Sequence, residues 1–237
     1  MSDGNLALEQ FLAVIKGVCQ KTGHPMPPHL ALLAEGHAIP EPPPLEEALE
    51  TAGLALDDAQ SACLFANIVN LTIADGRVRD RSLVELAAET LRMERDSARD
   101  VQEALETRFQ TNVFRDDDEW ALFCAVLLAM AGADDEVLKS ETAYMQRFVP
   151  DLKHIEAGKK LLQEKANTLD EQIARLSTRQ KRCLTAHAIG MMLIDGDYKG
   201  TELELLESLS DQMSLAQLDQ DRLLKGLYAL YNVSVLV

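Results

Sequence analysis

Apolar residues recur along this chain at helical intervals. Between residues 6 and 21, Leu6, Leu8, Phe11, Leu12, Ile15 and Val18 recur at helical spacing and predict an amphipathic helix. Further on, the same spacing appears three times, each time ending at an aspartate: Asp75, Asp134 and Asp195. The first two aspartates are 59 residues apart and the last two 61, so the chain carries an internal repeat. Four residues before each stand Leu71, Met130 and Met191; six before, Val69, Leu128 and Ile189; eleven before, Leu64, Phe123 and Leu184. These positions predict one apolar helix leading to each turn, and the second, over residues 121–133, is apolar all round, as a central helix is.

Beyond each aspartate the pattern restarts. Val78, Val137 and Tyr198 stand three residues on and predict a side chain tucked back into the core. Ser82, Ser140 and Thr201 are candidate N-caps of a second helix, with Glu85 and Glu204 completing capping boxes in two copies. The expected architecture is therefore all-α: a compact helical bundle of about 8–10 helices containing three helix-turn-helix repeats.

Seven of the eight prolines crowd into one stretch, Pro25, Pro27, Pro28, Pro40, Pro42, Pro43 and Pro44, and exclude a continuous helix there. The expected organisation is an N-terminal amphipathic helix (1–22), a proline-rich linker (23–45) and a helical domain (46–237) with acidic turns near 75, 134 and 195. His24, His29 and His37 fall in the linker, without the fixed spacing of a metal site.

Composition narrows the function. The chain has 237 residues, is 47% hydrophobic but only 5% aromatic, and carries a net charge of −16. That charge excludes phosphate-neutralising nucleic-acid binding and disfavours anionic membranes, while it suits cations or basic proteins as well as a merely solvated surface. No apolar run reaches the roughly 18 residues of a membrane span, so direct membrane insertion is not expected. Cys19, Cys63, Cys124 and Cys183 form no Cys-x-x-Cys pair, and three lie in apolar helical stretches; they read as reduced core residues of a cytoplasmic protein. No Ser/His/Asp or Cys/His constellation, phosphate loop or His-Glu-x-x-His motif is present, and the expectation is a non-catalytic protein.

The candidate chemistry lies in the turns. Seven residues past the aspartate, copies two and three carry Glu141 and Glu202; copy two adds Asp135 and Glu136, copy three Asp197. Carboxylates gathered at a helix junction are ligands for hard cations. The candidate metal residues are Asp134, Asp135, Glu141, Asp195, Asp197 and Glu202, with Asp75 weaker because copy one has Ser82 in place of the glutamate. The segment is not an EF-hand, so calcium or magnesium would be held weakly and no cofactor is required. The competing reading makes each Asp-Gly a tight turn, with Gly76 and Gly196 at positive φ and the glutamates favoured by the helix dipole. His187, inside a core helix, reads as a core histidine, and Trp120 as a packing anchor.

A core helix, the turn Ala74-Asp75-Gly76, Ala133-Asp134 or Ile194-Asp195-Gly196, and then Glu141 or Glu202 opening the next helix resembles the TerB-like family of tellurite-resistance proteins, over roughly residues 60–235. Ser82 in copy one, Asp135 in place of glycine and the third copy depart from that pattern. The resemblance implies a compact, cytoplasmic helical module tied to tellurite and other stress responses, binding metal ions or a basic or membrane-associated protein partner through its acidic residues. The alternative is a structural protein whose N-terminal helix and residues 227–237 join chains into a homo-oligomer.

Overall fold

A computed structural model describes residues 3–35, 37, 41–132, 139–165, 168–194 and 200–236, without the side chains of 3–5, 139, 165 and 200–203. Among the described residues there are thirteen α-helices and one two-stranded hairpin, so the chain is all-α as the periodicity predicts. The helix count exceeds eight to ten partly because short segments of seven and six residues, too short to show a period, also become helical. No described helix is long and apolar enough to cross a membrane.

The chain divides into two compact units, Met1–Glu106 with Lys225–Val237, and Thr107–Leu224. In the first, α1 (Asp3–Thr22) packs on α3 (Leu45–Ala55) and α4 (Asp58–Thr72), and buries Phe11, Leu12, Ile15 and Val18. The predicted N-terminal helix is thus part of this core. Within the proline-rich stretch, α2 (Pro28–Ala34) starts at a proline, where the missing N–H costs nothing, and buries Leu30. A β-hairpin (β1 Ile73–Ala74, β2 Arg77–Val78), α5 (Arg81–Thr90) and the first residues of α6 (Arg95–Arg108) follow.

In the second unit, α7 (Asp117–Ala131) is central, in contact with α8 (Lys139–Phe148), α9 (Leu152–Lys165), α10 (Leu169–Ala174), α11 (Thr178–Leu193) and α12 (Gly200–Met213). Residues 120–127 are all buried, which is why that segment is apolar all round. Gly158 lets α9 lie directly on α7: a Cβ there would stand 2.6 Å from Cys124 Cβ and 2.8 Å from the Ala125 nitrogen. Helix α13 (Gln217–Tyr231) closes the order.

The repeat is longer than its apolar pattern suggests. Asp57, Asp116 and Ser177 each stand eighteen residues before a turn aspartate, and each N-caps the core helix. Their side chains accept from the amides of Gln60, Glu119 and Gln180, three residues on. In α4 and α11 the glutamine returns the bond to the cap's amide, forming a full capping box.

Candidate functional site

Copy one shows how the turn is made. Ile73 pairs with Val78 and Ala74 with Arg77, leaving Asp75 (φ 51) and Gly76 (φ 73) as the two loop residues. Two successive positive φ values match the twist of a tight hairpin, and Asp-Gly supplies them at least strain. Val78 is buried, as its spacing predicts, and its amide donates to Glu106 Oε1 at 3.0 Å. The Asp75 carboxylate is exposed and paired with the Arg79 guanidinium.

The cap of α5 is Asp80 rather than Ser82. Asp80 Oδ1 accepts from the Leu83 amide (3.0 Å) and the Ser82 hydroxyl (2.8 Å), and Lys21 Nζ lies 2.9 Å from Oδ2. The hydrogen bond from Lys21, then that from the Leu83 amide, holds this carboxyl below its ordinary pKa. A carboxylate outcompetes a hydroxyl for the helix amides, so Ser82 becomes a donor inside the first turn. Ser140 and Thr201 likewise lie within α8 and α12. Copy one is thus a capped turn whose two aspartates already have cationic partners.

Asp134, Asp135, Asp195 and Asp197 lie outside the described residues, as do Val137, Tyr198 and Gly196. Glu202 falls in α12, with its side chain outside the description. Glu141 is described: it sits in the first turn of α8 and is 3% exposed, where a carboxylate gains from the helix dipole. In copy one the same repeat position is Ser82, which is exposed.

The helix that carries Glu141 is anchored by its later residues. Tyr144, one turn on, brings its hydroxyl to 3.0 Å from Nδ1 of the fully buried His187 on α11. Phe123, Tyr144 and Phe148 surround that imidazole edge to face. Burial first, and the nearby Arg108 charge second, push the His187 pKa down to about 3, against a smaller backbone contribution from Arg108. The imidazole is neutral, and Nε2 has no hydrogen bond among the described residues. Gly190 leaves room for the Tyr144 hydroxyl, which a Cβ at 190 would meet. Arg108, itself 1% exposed, lays its guanidinium 5.1 Å from the Phe109 ring and 5.5 Å from Phe148. Trp120 packs with Phe114, Phe123 and His154, as a packing anchor should.

The position eight residues before the turn has the same task in copies one and three. Asn67, the counterpart of His187, is fully buried on α4. Its Nδ2 donates to the carbonyls of Cys63 (2.9 Å) and Leu230 (3.2 Å), and its Oδ1 stands 2.9 Å from Nε2 of His29, whose ring lies against Tyr231. In copy two the residue is Val126, also buried.

His29 is therefore occupied by a core contact, while His24 and His37 are exposed. Among the described residues no three His, Cys, Asp or Glu side chains are grouped as a metal site requires. Cys63, Cys124 and Cys183 are buried free thiols, and burial pushes the first two up to about 12 and the third higher still, which makes them inert core residues. No family model, curated protein or solved structure matches this chain.

Proposed function

We propose that this chain is a non-catalytic, TerB-like helical module of the cytoplasm, linked to tellurite and stress response, acting through its second and third acidic turns. Asp134, Asp135, Glu141, Asp195, Asp197 and Glu202 would bind calcium or magnesium weakly, or dock a basic or membrane-associated protein partner. The observation that carries this reading is Glu141, a carboxylate buried in the first turn of α8, five residues past the end of the Asp134-Asp135-Glu136 run. At 3% exposure and within the first turn of a helix, whose dipole favours a carboxylate, its place is not that of a solvated surface acid. The contact between Tyr144 and His187 keeps its helix fixed, which supports a preorganised acidic site.

The assembly reading has less support, because the apolar face of α1 and Leu227, Leu230 and Leu236 are already buried within the first unit.

Titration of the full chain with magnesium, calcium and, separately, a lysine-rich peptide, followed by amide NMR, tests the proposal. Shifts are expected first at residues 134–141 and 195–202, with dissociation constants of about 10⁻⁴ to 10⁻³ M for the ions. Replacing Asp134 and Asp195 by Asn and Glu141 and Glu202 by Gln should abolish them. The reading is lost if none of the three titrants shifts these residues, or if the quadruple variant responds as the parent does.

A further inference from the structure

No lysine or arginine occurs between Lys21 and Arg77, and then three arginines follow within five residues, Arg77, Arg79 and Arg81. They stand two, four and six residues past Asp75. Copy two has Glu136, Leu138 and Ser140 at those distances, and copy three Asp197, Lys199 and Thr201. The first repeat is therefore inverted in charge relative to the second.

All three arginines are exposed. From 77 to 81 exposure alternates, with Arg77, Arg79 and Arg81 outward, Val78 buried and Asp80 half-buried. The Arg79 amide donates to the Thr72 carbonyl at 2.9 Å and extends the hairpin pairing by one residue. Along an extended chain, residues two apart are about 6.6 Å apart, so Arg77 and Arg79 leave the hairpin at that interval, and Arg81 follows as the first residue of α5. Arg79 and Arg81 also line an open groove of about 700 Å³ together with Lys21, His24 and Asp80.

The local acids do not neutralise this surface. Asp80 is bound to Lys21 and to the start of α5, and Asp75 to Arg79. Lys21, Arg77, Arg79 and Arg81 against Asp75, Asp80 and Glu106, which accepts from the Val78 amide, leave a surplus of one positive charge on a protein of net charge −16. Neither Arg77 nor Arg81 has an ion-pair partner among the described residues. Arg81 is the first residue of α5, where a cation opposes the helix dipole, so helix stability does not account for it.

We infer that the copy-one hairpin and its groove form a docking surface for an extended acidic segment of a protein partner, with carboxylates at alternate positions. Alternate side chains of an extended peptide project at the spacing of Arg77 and Arg79, with Arg81 next along the chain, and a planar guanidinium meets a carboxylate with two parallel hydrogen bonds. A nucleic acid fits less well: the net charge repels its phosphates, and no Phe, Tyr or Trp lines the groove for base stacking.

Fluorescence anisotropy of the full chain with a labelled peptide of about ten residues alternating glutamate and threonine tests this. Binding is expected to weaken as salt is raised and to fall about tenfold or more in Arg77→Gln/Arg79→Gln/Arg81→Gln, each single change giving a smaller graded loss. A variant with the same change in net charge, Arg92→Gln/Arg95→Gln/Arg99→Gln, should bind as the parent does, and a glutamine–threonine peptide should not bind. All six side chains are exposed, and an unchanged circular dichroism spectrum shows that each variant is folded. The inference is overturned if the acidic peptide does not bind, if the two triple variants lose affinity equally, or if a single-stranded RNA of equal length binds more tightly.

Discussion

The Tyr144 hydroxyl and His187 Nδ1, 3.0 Å apart and both buried, fasten α8 to α11, and α8 carries Glu141 in its first turn. Removing the hydroxyl leaves an imidazole nitrogen without its partner. Tyr144→Phe should cost about 1–2 kcal/mol in urea unfolding. Gly190→Ala should cost about 1–3 kcal/mol through its collision with the same hydroxyl. The two losses should not add, because phenylalanine at 144 removes the colliding atom; strict additivity would show that the contact does not set the packing here.

The buried imidazole also predicts a pH dependence. His187 has a folded-state pKa of about 3, below its ordinary 6.5, so on acidification the unfolded chain binds a proton that the native core refuses. The stability it contributes is complete above about pH 7, is lost as pH falls through 6.5 towards 3, and changes no further below that. Between pH 7.5 and 5.5 the parent's unfolding free energy should therefore decrease more steeply than that of His187→Gln, by up to about 1.4 kcal/mol per pH unit. Parallel slopes would contradict a neutral core histidine.

Asn67 joins α4 to Leu230 and, through His29, to α2. Asn67→Ala leaves the Leu230 carbonyl and the His29 imidazole without that partner and should destabilise the chain by about 2 kcal/mol. Amide hydrogen exchange should quicken in α2, whose anchors include His29 and the buried Leu30. Unchanged exchange there would mean that the packing of Leu30 alone holds the segment.

Asp80 and Ser82 separate two accounts of the first turn. Asp80→Ala removes the α5 cap and the partner of Lys21, and should cost about 1 kcal/mol or more; Ser82→Ala should cost no more than a few tenths. Equal losses in thermal unfolding would return the cap to Ser82.

The repeat was legible because its signals are local. A buried helix must be apolar along the face it buries, and Leu64, Phe123, Leu184, Met130 and Met191 met that demand in the core. The caps were misplaced: Ser82, Ser140 and Thr201 were the candidates, and all three lie inside helices. Asp57, Asp116 and Ser177, each with Gln or Glu three residues on, recur at one distance from the turn aspartate. That regularity was the signal that could have extended the repeat back to the start of each core helix.

The sequence by itself determined the helical class, the threefold repeat and the Asp75-Gly76 turn, because periodicity, capping and positive φ depend on residues within a few places of one another. Tertiary structure decided which polar residues of the repeat are buried and what they meet. Tyr144 and His187 are 43 residues apart in the chain, and Asn67 and Leu230 163. No local pattern encodes such partners, since a buried donor or acceptor is satisfied by whichever group the packing of distant helices brings within 3 Å or so.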